Sequence, residues 1–107
     1  MLFTISGRHL DVPEAVRKHA EEKTSKLPKF YDSISRIEVI IGGSQGGGGV
    51  NVEIIASAEH GKVFVVSQTG TDVYLCIDLA VRKLEQQIRR KKSKERDDKR
   101  TRGAKLT

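Results

Sequence analysis

The chain contains no tryptophan and a single cysteine, only 5% of its residues are aromatic, and apolar residues make up 36% of its 107 positions. Each scarcity excludes something. One cysteine, Cys76, cannot close an internal disulfide, so no disulfide framework holds the fold and a reduced, cytoplasmic setting follows. No apolar run approaches the ~18 residues of a transmembrane span, and the N-terminus lacks the charged start and apolar stretch of a secretion signal. A membrane is therefore not an expected partner. A chain of this length builds one domain, and with so few aromatics its core is modest and its architecture simple.

What the sequence does have is positive charge, unevenly placed. Twenty Lys and Arg stand against fourteen Asp and Glu, a formal net of +6. Residues 1–81 hold eight Lys and Arg against ten Asp and Glu, a net of −2, whereas residues 82–107 hold twelve against four, a net of +8. The basic character is local. Such a block is either a solvated helix end or an arm for a polyanion such as nucleic acid.

Periodicity predicts the order βαβββα. Leu2 to Ser6 alternates apolar and polar and stops at Gly7, as a short strand does. Asp11 and Glu14 stand in capping-box spacing with Pro13 in the first turn, which predicts a helix running to about Leu27 and ended by Pro28. Phe30 and Tyr31 are expected to cover the core edge beyond it. Ser35–Ile41 turns Ile37, Val39 and Ile41 to one face, and Val50–Ser57 turns Val52, Ile54 and Ala56 inward. The six glycines within residues 42–49 predict a mobile hairpin loop between these strands, and Glu59 to Lys62 a tight turn into Val63–Thr69. Thr71 and Asp72 cap a last helix whose apolar stripe is Val73, Ile77, Ala80, Val81, Leu84 and Ile88. The stripe ends there, so residues 95–107 read as a disordered basic tail behind a domain of residues 1–94. The expected fold class is α+β, a four-stranded mixed sheet with its first two strands parallel and two helices on one face. Double-stranded-RNA-binding modules share that general form.

No catalytic apparatus is legible. His9, His19 and His60 fall in a loop, a helix and a turn without a ligand-spaced partner, so no metal is expected. Cys76 sits beside an apolar stripe, where a buried inert thiol is expected. The glycine run matches neither G-x-G-x-x-G nor the Walker pattern. No cofactor and no small-molecule substrate are expected. The last helix is different. At 100° per residue, Arg82, Lys83, Gln86, Gln87, Arg89, Arg90 and Lys94 spread over the arc opposite or flanking the buried stripe, a basic ridge suited to phosphates, with glutamines for sugar hydroxyls or base edges. On the first helix Lys23 falls on the apolar face, with its stem expected across the core edge and its ammonium at the rim. Lys26 and Lys29 follow, and extend the basic surface if the helices pack side by side.

These residues resemble a known family. The opening Ile5-Ser6-Gly7, Glu22-Lys23-x-x-Lys26-Leu27 with Phe30-Tyr31-Asp32, then Asp72-Val73-Tyr74-x-x-Ile77-Asp78 and Lys83-Leu84-Glu85-x-Gln87-Ile88 are similar to ribosome hibernation-promoting factors, also called ribosomal subunit interface or sigma-modulation proteins. The resemblance covers about residues 1–94. It implies a non-enzymatic factor of stationary phase and stress that binds the rRNA of the small ribosomal subunit and inhibits translation by occluding the mRNA path and the A and P sites. It further implies rRNA contacts by Lys23 and Lys26 and by Lys83, Gln87, Arg90 and Lys92, and assigns Asp72 and Tyr74 to capping and packing. Gln86 stands where the family usually has Arg, and the glycine run is unusual. Long family members continue into a second domain that dimerises ribosomes, so no ribosome dimerisation is expected of this chain alone. Two other readings are a general double-stranded RNA binder and a regulatory adaptor docking an acidic protein surface.

Overall fold

The alternation of apolar residues in four short segments and their helical spacing in two longer ones build one layer of strands under one layer of helices. The computed structural model describes the backbone of residues 1–106 apart from residues 32 and 45, and the side chains of residues 1–92 apart from residues 30, 32 and 45. The elements are β1 (Leu2–Gly7), α1 (Glu14–Thr24), α2 (Leu27–Phe30), β2 (Ile34–Gly43), β3 (Val50–Ala58), β4 (Val63–Gly70) and α3 (Val73–Leu106). The sheet order is β1-β2-β3-β4. β1 runs parallel to β2, with Ile5 opposite Val39, and the other two pairings are antiparallel, placing Val39, Ile54 and Val66 in one row and Ile37, Ala56 and Phe64 in the next. The expected mixed sheet is therefore present.

Those two rows are buried, and on them lies the stripe of α3, with Ile77, Ala80, Leu84 and Ile88 wholly enclosed. Val16 and Ala20 of α1 and Leu27 of α2 join the same core, so the helices share one face of the sheet. Each enclosed Leu or Ile side chain stabilises the fold by roughly 1.5–3 kcal/mol. Tyr31 closes the core edge, its ring edge-on to Phe64 at 5.7 Å. The side chain of Phe30, expected beside it, lies outside the described residues.

Three boundaries differ from the sequence expectation. Asp11 does not cap α1. The helix opens on Pro13, whose extended backbone (ψ 150°) precedes Glu14 and whose carbonyl accepts the first bond, from Arg17 N–H at 3.1 Å. α1 also ends at Thr24 rather than near Leu27. The buried Thr24 hydroxyl donates back to the Ala20 carbonyl at 2.8 Å, and Pro28 opens the one-turn α2, where its missing N–H costs nothing. Finally, the backbone of α3 continues helical to Leu106, through the stretch read as a disordered tail. From Arg89 to Arg102 the sequence holds no glycine or proline and is rich in Lys and Arg, which are good helix formers even without a face to bury.

The glycine loop is a hairpin connection. Ser44 N–H donates to the Gly49 carbonyl at 3.2 Å, and Gly46, Gly47 and Gly48 all have positive φ, which explains the run of glycine in physical terms. At the other end of β4, a Cβ on Gly70 would meet Cys76 Sγ at 2.8 Å, so this glycine lets the first turn of α3 close onto the sheet.

Candidate nucleic-acid interface

The basic ridge is positioned by the burial of its opposite face. With Ile77, Leu84 and Ile88 pinned to the sheet, helical geometry sends Arg82, Lys83, Gln86, Arg89 and Arg90 outward, and all five are exposed. The N-terminus of α3 is fixed by Asp72, whose Oδ1 accepts from Tyr74 N–H at 3.0 Å and Leu75 N–H at 3.4 Å. The ridge then divides into two flanks.

On the flank toward β4, Lys83 Nζ donates to the Ser67 carbonyl at 3.0 Å and Gln87 Nε2 to the Val65 carbonyl at 3.0 Å. These bonds orient the two side chains without consuming them. An ammonium has three donors and an amide NH2 two, so Lys83 keeps its charge and both keep N–H groups for a ligand. With Gln86 and Arg90 they line an open groove of about 320 Å³ against Val65–Ser67, and no carboxylate is among its lining residues.

On the flank toward α1, carboxylates are present. His19 Nε2 lies 2.7 Å from Asp78 Oδ1, Lys23 Nζ lies 3.9 Å from the same oxygen, and the Tyr74 ring packs edge-on to His19 at 5.2 Å. Lys23 is half-exposed, its ammonium at the rim as expected. Arg82 and Arg89 follow Asp78 along this line of the helix, at the i+4 position from Asp78 and Glu85 respectively. The helices do pack side by side, but the joint surface is of mixed charge rather than purely basic.

Of the site residues read from sequence, the structure thus brings together Lys83, Gln86, Gln87 and Arg90. Lys23, Arg82 and Arg89 share the α1 flank, Lys26 is exposed between α1 and α2, and Lys92 is exposed further along α3. The side chain of Lys94 lies outside the described residues. Sequence reasoning missed Asp78 and His19 as the link between the helices. The available signal was that Asp78 and Lys23 both sit at the margin of an apolar stripe, where a charged pair can meet.

Elsewhere the chemistry is sparse. Burial first, and then the charge of Asp72, push the Cys76 thiol above its ordinary pKa, away from the reactive thiolate. A larger open bowl, about 720 Å³, lies at the glycine loop, but its one cation is Arg8, already 3.9 Å from Glu53. Among the described residues no group of three His, Cys, Asp or Glu could hold a metal ion. No helix among the described residues is long and apolar enough to cross a membrane.

Comparison with known proteins bears on the family and the fold. The family model described as sigma 54 modulation protein / S30EA ribosomal protein matches residues 3–96. The chain belongs to this family. It is 32% identical to a ribosome hibernation promoting factor of Azotobacter vinelandii over 102 residues, covering 89% of this chain and 86% of the relative. Among solved structures, a ribosomal subunit interface protein from Coxiella burnetii superposes with a TM-score of 0.78 at 25% identity, covering 87% of this chain and 99% of the other. The N-terminal domain of Thermus thermophilus Protein Y superposes with a TM-score of 0.69 at 28% identity, covering 82% and 93%. As a member of the family, the chain keeps the α+β fold.

Proposed function

We propose that this chain is a cytoplasmic ribosome hibernation factor that binds rRNA of the small ribosomal subunit and inhibits translation by occupying the mRNA and tRNA (A and P site) region. It acts by charge and shape, without catalysis. The supporting observation is the groove between α3 and β4, where Lys83 and Arg90 converge with two glutamines and no carboxylate. Such a surface recognises phosphate oxygens electrostatically and adds hydrogen bonds suited to 2′-hydroxyls. The family's ribosomal members point to the ribosome as the source of that RNA.

Sedimentation with purified small subunits tests the reading. Wild-type protein co-migrates at low salt, and a Lys83→Glu/Arg90→Glu variant does not, although its unfolding is nearly unchanged because both residues are exposed. If about five phosphates are neutralised, log affinity falls with log salt at a slope of roughly −3.5 to −4.5. Co-migration retained by the charge-reversed variant would overturn the assignment of the site. Equal competition by non-ribosomal duplex RNA would replace the ribosome by a general RNA target.

A further inference from the structure

As the last strand of the sheet, β4 should present a row of unpaired backbone groups along its outer side. The Ala58 N–H donates to the Lys62 carbonyl at 2.8 Å, which sets the alternation of the β3–β4 ladder. Counting from that pair, Phe64, Val66 and Gln68 bond to β3, while Val63, Val65, Ser67 and Thr69 turn both N–H and C=O outward. Three successive outward carbonyls are each taken by a side-chain donor at 3.0 Å: Val65 by Gln87 Nε2, Ser67 by Lys83 Nζ and Thr69 by Gln68 Nε2.

The fit has a metric cause. Four residues of helix rise ~6 Å and two residues of antiparallel strand span ~6.8 Å, so donors four apart on α3 fall on alternate carbonyls of a strand running the opposite way. Lys83 to Ser67 and Gln87 to Val65 follow that order.

We propose that Lys83, Gln87 and Gln68 form a seal that withholds the β4 edge from a second copy of this chain, the edge itself being a latent antiparallel dimer interface. An edge strand paired with its own copy is closed by a two-fold axis, each copy offering the same outward N–H and C=O groups. That pairing needs acceptors as well as donors, and its N–H groups would have to share or displace the side-chain donors already on the Val65, Ser67 and Thr69 carbonyls. It also places the Lys83 charges of the two copies against each other. Beneath the seal the strand suits pairing, because Val63 and Val65 are 57% and 49% exposed and would continue a β-branched surface across the joint. The inference does not depend on RNA binding.

The test is the solution mass of the full chain over one dilution series by light scattering. Wild type stays at the monomer mass of 11.9 kDa. Lys83→Met/Gln87→Met keeps both stems and helix propensity while removing the donors, and its mass doubles at the concentrated end. Adding Ser67→Pro deletes an outward N–H that β3 does not use, a change tolerated on an edge strand, and returns the mass to that of a monomer. Exchange of the Val65 and Ser67 amide hydrogens is fast in wild type and slows in the unsealed dimer. If the methionine pair does not fold, Lys83→Ala/Gln87→Ala carries the same expectation. A wild type that already dimerises, an unsealed variant that stays monomeric throughout, or a dimer indifferent to Ser67→Pro would each overturn the proposal.

Discussion

The two flanks of α3 carry cations at similar density and differ in what faces them. Toward α1, Lys23 and Arg82 share their surroundings with Asp78, and Asp78 also holds His19 at 2.7 Å. Toward β4, Lys83 and Gln87 face carbonyls of an edge strand. A carboxylate both orients and neutralises a lysine, whereas a carbonyl orients it and leaves its charge intact. The comparison teaches that counting basic residues on a helix does not locate a phosphate site; the neutral or charged character of the opposing groups decides it. One flank joins two helices, and the other is left charged and preorganised.

The largest effect comes from removing the packing that creates both flanks. Leu84→Ala takes a fully enclosed side chain from beneath the ridge, and urea unfolding should show a loss of about 2–5 kcal/mol. Next comes the contrast between flanks. Lys83→Ala/Arg90→Ala should reduce the magnitude of the salt slope of small-subunit binding by roughly 2, and Arg82→Ala/Arg89→Ala by less than about 1. Equal losses would erase the distinction. Smaller again is Asp78→Asn, which should cost about 0.5–1 kcal/mol because the polar contacts it weakens, to His19 and Lys23, are partly solvated, and should strengthen RNA binding by removing a negative charge beside Lys23. Weakened binding would show that the α1 flank works through its geometry instead.

The smallest effect concerns Cys76. Its thiol holds its proton more tightly folded than unfolded, so stability is full below the ordinary value of 9.0 and declines as pH rises through the raised folded pKa. Unfolding midpoints measured from about pH 8 to 10 should fall less steeply in Cys76→Ala than in wild type. Identical slopes would mean that the thiol is solvated.

Much of the fold was legible because it rests on periodicity. The alternation in Ser35–Ile41 and Val50–Ser57, and the stripe from Val73 to Ile88, report which side of each element faces the core, and the structure packs those sides inward, with Phe3 and Ile5 of Leu2–Ser6 partly buried against them. Helix boundaries were less legible. Asp11 and Glu14 have capping-box spacing, yet Pro13 occupies the N-cap, and Thr24 ends α1 through a hydroxyl bond that competes with helix continuation. The ridge was legible as a set of residues facing away from the core. Its division was not, since the partners of Lys23 and Lys83 lie 55 residues ahead at Asp78 and 16 residues behind at Ser67.

The sequence by itself determined the order of elements, the buried faces and the concentration of charge on the last helix, because each follows from local spacing and composition. Only the tertiary structure decided which cations meet carboxylates, which meet carbonyls, and how the β4 edge is covered. Those outcomes depend on the register of β3 with β4 and on α3 running antiparallel to the edge strand at a matching repeat, relations between segments distant in the chain that no local pattern encodes.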